Sequence, residues 1–199
     1  MVSRTLVWFR RDLRIYDHEP LHRAALRGVV IPVFIFDRSL LRHPETGAAR
    51  VAFMVDCLRH LDQDLRRLGG RLILRHGDPT EVLPQLIEAT QADGIYSYTD
   101  CERIYGRVRD ARLNQVLADR QMKIRWFEPV ASSPELMAYP RYRQRWYQEV
   151  SAPVVPVPAR EEVPADLESD ALPALVPLGH RTAGKTIPPG STRAARQLL

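Results

Sequence analysis

Short apolar runs alternate with amphipathic stretches along the first 130 residues, and this alternation constrains the fold more than any other feature. Residues 5–9 (TLVWF) and 29–36 (VVIPVFIF) are nearly continuous apolar runs, which are typical of strands buried on both faces of a parallel sheet. Weaker runs of the same kind occupy residues 72–74, 95–98 and 124–127. Because proline is disfavoured inside a strand, Pro32 is expected near the start of its strand.

Four helical segments separate these runs. Asp17 is expected to cap a short helix that ends at Leu26, and apolar side chains repeat at helical spacing through residues 51–68. Asp78 is followed by a proline and then by a glutamate in the first turn, which is a typical helix start. The fourth helix, residues 103–120, is expected to bury one side made of Ile104, Val108, Leu113, Val116 and Leu117.

The resulting order, βαβαβαβαβ, predicts an α/β fold. We expect a doubly wound, Rossmann-like sheet of five parallel strands in the order 3-2-1-4-5, with a proline-rich C-terminal extension. Ligands of such sheets bind beyond the carboxyl ends of strands 1 and 4, where the winding direction reverses. That crevice would be rimmed by Arg10, Arg11 and Asp12 after strand 1 and by residues 99–102 after strand 4.

Proline divides the chain into an α/β domain, residues 1–130, and a C-terminal part, residues 131–199. Residues 151–190 hold half of the protein's 16 prolines, so we expect an extended connector that lies over the surface or is loose in solvent. Residues 131–150, between the domain and the connector, are predicted to be a basic, aromatic helical segment. Residues 191–199, with Ser191 as a helix N-cap, look like the start of a further domain.

Composition limits the compartment and the partners. A net charge of +5 permits contact with nucleic acid without demonstrating it. In residues 141–147 arginines alternate with aromatic rings, which can hold a nucleic-acid backbone, although rings that pack on the sheet would give the same pattern. Two cysteines exclude a disulfide framework, and the histidines show no metal-binding spacing. No apolar run approaches the roughly 20 residues of a membrane span, and no signal peptide is evident, so a cytoplasmic location is expected.

Several segments, taken in order, resemble the DNA photolyase/cryptochrome family. Residues 6–14 (LVWFRRDLR) are similar to the opening signature of that family. Further matches follow in family order at residues 30–37 (VIPVFIFD), 61–74, 77–79 and 100–110 (DCERIYGRVRD). No single match is decisive, but their ordered sum is specific. Residues 139–146 depart from the family pattern, because they are shorter and more basic than the corresponding segment.

The resemblance implies a light-harvesting and scaffold domain that holds an antenna pigment: a folate, a deazaflavin or a flavin. Such a site needs an apolar slot for a ring and a few polar anchors, and it needs no catalytic residue. The positions that match the family place six residues around the pigment: Arg10, Asp12, Phe36, Asp37, Arg50 and Glu102.

In the family a larger helical domain follows the connector and binds the catalytic FAD and the DNA. Residues 190–199 resemble its beginning, so the resemblance implies that this domain is lost or encoded separately as a partner. FAD would be bound only if that domain is supplied, and DNA would be contacted only in the intact protein. The intact protein would use blue light and FAD to split pyrimidine dimers or to signal, and this chain alone would not be catalytically competent.

Two alternatives stay open at this point. The chain could be a stand-alone nucleotide-binding module of the same α/β architecture, but such a module needs a glycine-rich phosphate loop, and residues 10–14 contain no glycine. It could also be an interaction module that pairs with a partner through its exposed connector.

Overall fold

The computed structural model describes residues 2–99, 104–129, 139–150, 153–158, 167–182, 184 and 186–197. Within these ranges five strands form one sheet: β1 (Ser3–Phe9), β2 (Gly28–Phe36), β3 (Ile73–His76), β4 (Gly94–Tyr98) and β5 (Ile124–Phe127). All neighbouring strands are parallel, and their order is β3-β2-β1-β4-β5. The fold class and the strand order predicted from the sequence are therefore confirmed.

Seven helices lie in the described ranges. They are α1 (Glu19–Ala25), α2 (Arg38–Leu41), α3 (Ala48–Arg67), α4 (Pro79–Thr90), α5 (Ile104–Ala118), α6 (Tyr139–Val150) and α7 (Thr192–Gln197). The predicted cap of α4 is correct, because the carboxylate of Asp78 accepts a hydrogen bond from the Thr80 amide at 2.8 Å. The sequence does not predict the four-residue helix α2, because a helix of about one turn is too short to show an apolar repeat at helical spacing.

Both faces of the sheet are buried, which explains the continuous apolar runs. Along β1, Val7 and Phe9 join one core cluster, together with the apolar side of α3. Leu6 and Trp8 point to the opposite face and join a second cluster with residues of α4 and α5. Successive side chains of a strand alternate between faces, so a strand covered on both sides must be apolar at nearly every position.

Pro32 lies in the middle of β2, and the expectation that it sits near the strand start is wrong. Strand β2 pairs with β1 from Gly28 onward, whereas its pairing with β3 begins only at Val33. At Pro32 the strand therefore has a partner on one side only, which is a position that proline tolerates.

The cap of α1 is His18, and the expectation that Asp17 caps this helix is wrong. Nδ1 of His18 accepts a hydrogen bond from the Leu21 amide at 3.1 Å. Asp17 lies one residue earlier in a left-handed conformation (φ 48°). Its carboxylate accepts a hydrogen bond from the Val155 amide of the connector at 3.1 Å. Asp17 therefore attaches the connector to the α/β domain and does not cap α1.

The buried side of α5 agrees with the prediction at Leu113 and Leu117 and differs from it in the first turns. Ile104 is 73% exposed and Val108 is 63% exposed, while Arg109 is buried. An apolar pattern treats arginine as a surface residue, but here two carboxylates compensate its charge in the interior. The first turns of α5 therefore present an arginine to the protein interior.

The described part of the connector lies on the surface of the α/β domain. Leu178 is buried in the same core cluster as Phe9, and the Asp170 amide donates to the Leu74 carbonyl of the edge strand β3 at 3.0 Å. Farther along, the Gly190 amide donates to the Asp56 carboxylate of α3 at 2.7 Å. Ser191 caps α7 as predicted, since its hydroxyl accepts a hydrogen bond from the Ala194 amide. None of the helices in these ranges is both long enough and apolar enough to cross a bilayer.

Candidate ligand-binding site

An open cavity of about 500 Å³ lies at the carboxyl ends of β1 and β2. The loop after β1 forms one wall, α2 and the first turns of α3 form another, and Arg109 reaches it from α5. Apolar side chains supply most of the lining, among them Trp8, Leu40, Leu41, Phe53 and Met54. The sequence predicted a crevice between strands 1 and 4, whereas this cavity lies on the β1–β2 side of that boundary.

A buried charge network forms the floor between the cavity and α5. The guanidinium of Arg10 donates to one carboxylate oxygen of Asp110 at 2.9 and 3.0 Å, and Arg109 donates to the other oxygen at 3.0 and 3.1 Å. Arg109 also reaches Asp37 at 3.4 Å. The side chains of Arg10 and Arg109 are only 8% and 6% exposed, so each buried cation has a carboxylate partner. Paired in this way, the arginines have well-defined positions.

Asp37 is fully engaged by the protein. One carboxylate oxygen caps α2 by accepting from the amides of Ser39 and Leu40 at 3.0 and 3.3 Å. The other accepts from the Tyr105 hydroxyl at 2.7 Å and from Arg109. Burial and the nearby Asp37 carboxylate raise the pKa of the Tyr105 phenol to about 12, so it remains a hydrogen-bond donor at neutral pH.

Two guanidinium groups lie over the indole of Trp8. The central carbon of Arg10 is 4.7 Å from the ring centroid and that of Arg109 is 5.1 Å from it. Arg10 also lies 5.5 Å from the ring of Trp126, which is itself 6.4 Å from Trp8. These cation–π contacts add to the ion pairs in fixing Trp8 as a rigid part of the cavity wall.

Asp12 faces away from the cavity. One of its carboxylate oxygens accepts from the amides of Arg10 and Arg11 at 2.9 and 3.1 Å, and the other contacts Nε2 of His18. Burial alone would raise the pKa of Asp12. The hydrogen bond from His18, together with that from the Arg10 amide, outweighs burial and holds this pKa below its ordinary value.

The structure brings together three of the six residues that the sequence placed around a ligand. Arg10, Asp37 and Arg50 line the cavity. The side chain of Asp12 is directed to His18, and the ring of Phe36 is stacked on His76 at 4.8 Å, so neither is among the residues that line the cavity. The sixth residue, Glu102, lies outside the described residues.

Sequence reasoning missed four residues of this region: His18, Tyr105, Arg109 and Asp110. Tyr105, Arg109 and Asp110 lie within the segment 100–110 that resembles the family, but no periodic pattern marks a buried ion pair. His18 belongs to no recognisable motif, because the histidines of the sequence show no metal-binding spacing. The positive-φ turn at Asp17 shifts the cap by one residue, which a capping rule applied to Asp17 does not anticipate.

The lining of the cavity is strongly biased toward cations. Five arginines contribute to it, Arg10, Arg11, Arg14, Arg50 and Arg109, against one acidic residue, Asp37. Apolar walls beside such a rim suit a planar ring that carries negative charge. Among the described residues no group of histidine, cysteine, aspartate and glutamate side chains could hold a metal ion.

Comparisons with known proteins agree with this architecture. The chain is 32% identical over 187 residues to a deoxyribodipyrimidine photo-lyase of Synechococcus sp. (strain ATCC 27144). This match covers 89% of this chain and 38% of that protein. It is 31% identical over 207 residues to an uncharacterized 31.6 kDa protein in the atpI 5' region of Synechococcus sp. (strain PCC 6716), covering 97% of this chain and 72% of that protein. The chain thus spans less than half of the photo-lyase and most of the smaller protein.

Solved structures show the same fold. A bacterial class III photolyase from Agrobacterium tumefaciens superposes with a TM-score of 0.72 at 26% identity, over 86% of this chain and 38% of that one. An archaeal photolyase from Sulfolobus tokodaii, described as containing two FAD molecules with a novel light-harvesting cofactor implicated, gives a TM-score of 0.70 at 23% identity, over 94% of this chain and 43% of that one. The family model for DNA photolyase matches residues 5–131. With this match across most of the α/β domain, the chain belongs to the DNA photolyase family.

Proposed function

We propose that this α/β domain is the light-harvesting and scaffold part of a blue-light, FAD-dependent photolyase or cryptochrome. The observation that carries the proposal is the cavity of about 500 Å³ beside β1 and β2, with its apolar walls and arginine rim. Its volume lies in the range of about 300–1,000 Å³ that is usual for sites of small molecules and cofactors.

The chemistry of the lining fits an antenna pigment. Folates and phosphorylated flavins each join a planar ring to an anionic tail, and deazaflavins share the planar ring. Phe53, which is 39% exposed, supplies flat apolar surface for a ring, and the arginines supply donors for the tail. A pigment that passes on excitation energy needs a fixed orientation, and the rigid network around Arg109 and Asp37 supports that requirement.

The buried ion pairs hold the residues that line the cavity in fixed positions. Asp110 keeps Arg10 and Arg109 in place, and Asp37 holds the start of α2 against the cavity. No described side chain in the cavity has the arrangement of a nucleophile with its base, since Cys57 is half-buried and burial raises its pKa to about 11. The proposed role is therefore binding and orientation.

In this proposal the catalytic FAD and the DNA are bound by a helical domain with which the α/β domain cooperates. The Sulfolobus tokodaii photolyase is described with two FAD molecules and a novel light-harvesting cofactor, and this description supports a proposal with separate sites for the pigment and the catalytic flavin. The 199-residue chain alone is expected to leave dimer-containing oligonucleotide unchanged under blue light. Turnover by this chain would contradict that part of the proposal.

Reconstitution tests the pigment directly. The purified chain is mixed in turn with FMN, with methenyltetrahydrofolate and with a deazaflavin, passed over a desalting column, and its visible absorption spectrum is recorded. The proposal expects one of these chromophores to remain with the protein in stoichiometric amount. If none is retained and the purified chain is itself colourless, the domain is not a pigment carrier.

A further inference from the structure

We propose that His180 is a positioning residue through which the connector supports one wall of the cavity, so that ligand binding in the cavity and docking of the connector stabilise each other. This inference rests on the proposed function, because it concerns the regulation of the same cavity. It gives the connector a part in ligand binding in addition to its part as a covalent link.

Helix α2 supplies part of this wall and consists of four residues. Leu40 and Leu41 line the cavity, as does Thr46 in the loop that follows. The α/β domain attaches α2 at both ends: Asp37 caps its start, and the Thr46 hydroxyl donates to the Leu40 carbonyl at 2.8 Å. A further attachment, at the carbonyl of the last residue, Leu41, comes from the connector. A helix this short depends on such end contacts for its position.

His180 makes the contact from the connector. Its Nε2 lies 2.9 Å from the Leu41 carbonyl oxygen, and because a carbonyl oxygen only accepts, Nε2 carries a proton and donates it. A tight turn fixes the residue: the His180 amide donates to the Leu175 carbonyl at 3.0 Å. Inside this turn the Gly179 amide donates to the Val176 carbonyl at 2.9 Å, and Gly179 is left-handed with φ 85°. These two bonds form a Schellman turn, in which glycine is favoured at the left-handed position.

Apolar packing joins the connector to the same wall. Leu178 is 9% exposed and belongs to the core cluster that also contains Leu41 and Val51, two residues of the cavity lining. Leu172 and Leu175 of the connector pack against that cluster. The connector and the cavity are therefore linked through one set of apolar side chains as well as through the hydrogen bond of His180.

A second polar contact lies on α3. The Gly190 amide donates to the Asp56 carboxylate at 2.7 Å, and the next residue, Cys57, lines the cavity. The connector thus contacts both helices of this wall. A ligand that binds more tightly when the wall is in place must favour the docked connector, and the docked connector must raise the affinity for that ligand by the same factor. For one hydrogen bond between neutral groups we expect a factor of about three to ten.

Hydrogen exchange of the unliganded chain tests the positioning role. His180→Phe keeps a ring and loses the donor, whereas His180→Gln keeps an N–H donor on a side chain of similar reach. We expect the amides of residues 39–42 to exchange about three- to tenfold faster in His180→Phe and near the wild-type rate in His180→Gln. His22→Phe is the control, because His22 lies on α1 outside the cavity lining. Equal rates in His180→Phe and wild type, or equally raised rates in His180→Phe and His180→Gln, would overturn the proposal.

Two glycine variants test the turn that carries His180. A Cβ atom at Gly179 or at Gly184 meets nothing within 4 Å, and both residues have positive φ, 85° and 76°. Alanine is strained to a similar extent at either position, but only Gly179→Ala distorts the turn that ends at His180. Gly179→Ala should therefore speed exchange of residues 39–42, and Gly184→Ala should not. Faster exchange of these residues in neither variant would contradict the role of the turn.

The reciprocal measurement uses the chromophores. FMN, methenyltetrahydrofolate and a deazaflavin are titrated in turn into the wild type, His180→Phe and His180→Gln. We expect the chromophore that the wild type retains to bind about three- to tenfold more weakly to His180→Phe alone, and to slow exchange of residues 174–182 in the wild type by a similar factor. Equal affinities in His180→Phe and wild type would overturn the coupling and leave the proposed function intact. If the wild type retains none of the three, the proposed function and the coupling are both wrong, whereas exchange of residues 39–42 still decides the positioning role of His180.

Discussion

Gly190 lies directly against the backbone of Cys57: a Cβ atom added at Gly190 would be 2.5 Å from the Cys57 nitrogen and 2.8 Å from its sulfur. The same glycine donates its amide to the carboxylate of Asp56 at 2.7 Å. Cys57 also lines the cavity, so one turn of α3 has the connector on one side and the ligand site on the other.

Gly190→Ala should detach this part of the connector without unfolding the sheet. The added methyl group cannot fit, so the hydrogen bond from the residue 190 amide to Asp56 is lost. This loss should destabilise the docked segment by about 1–3 kcal/mol. Hydrogen exchange of residues 186–197 should become faster, while exchange in β1 and β2 stays slow. Gly47→Ala serves as the control, because a Cβ there meets nothing within 4 Å. Equal exchange in Gly190→Ala and wild type would contradict the observed contact.

Arg109→Leu should be among the most destabilising single changes in α5. It removes a buried cation and leaves the carboxylates of Asp37 and Asp110 with fewer partners, which typically costs about 3–5 kcal/mol. Denaturant unfolding measures the loss. Arg107→Leu, on the exposed side of the same helix, should change stability by no more than about 0.5 kcal/mol. Similar losses in the two variants would mean that the ion pairs of Arg109 contribute little.

Tyr105 makes the stability of the domain sensitive to alkaline pH. Its phenol has a folded-state pKa of about 12 against an ordinary value of 10.0, so the folded state retains the proton more strongly. The stabilisation that the protonated Tyr105 phenol gives the folded state is complete below pH 10, decreases as the pH rises from 10 toward 12, and is lost above the folded pKa. In Tyr105→Phe this part of the pH dependence should disappear. Parallel stability curves for the two proteins across that alkaline range would contradict the hydrogen bond to Asp37.

The sheet could be predicted from the sequence because β1 and β2 are buried on both faces and are therefore nearly continuous apolar runs. The site could be predicted only in part. Arg10 and Asp37 directly follow strands, so their place at the carboxyl edge comes from chain order alone. Arg109 could not be found in this way, because its burial depends on Asp37, which is 72 residues away along the chain. His18 was missed for a related reason, since its partner Asp12 becomes visible only when the loop is folded.

Filling the cavity tests the central claim most directly. Leu40 lines the cavity, so Leu40→Trp should occupy the space of a ligand ring, whereas Leu26→Trp adds the same indole at a position that is 69% exposed. The measurement is the amount of pigment that remains bound after desalting, for both variants and the wild type. We predict retention in the wild type and in Leu26→Trp, and its loss in Leu40→Trp with the fold intact. Undiminished retention in a folded Leu40→Trp protein would show that the pigment binds elsewhere and would contradict the account.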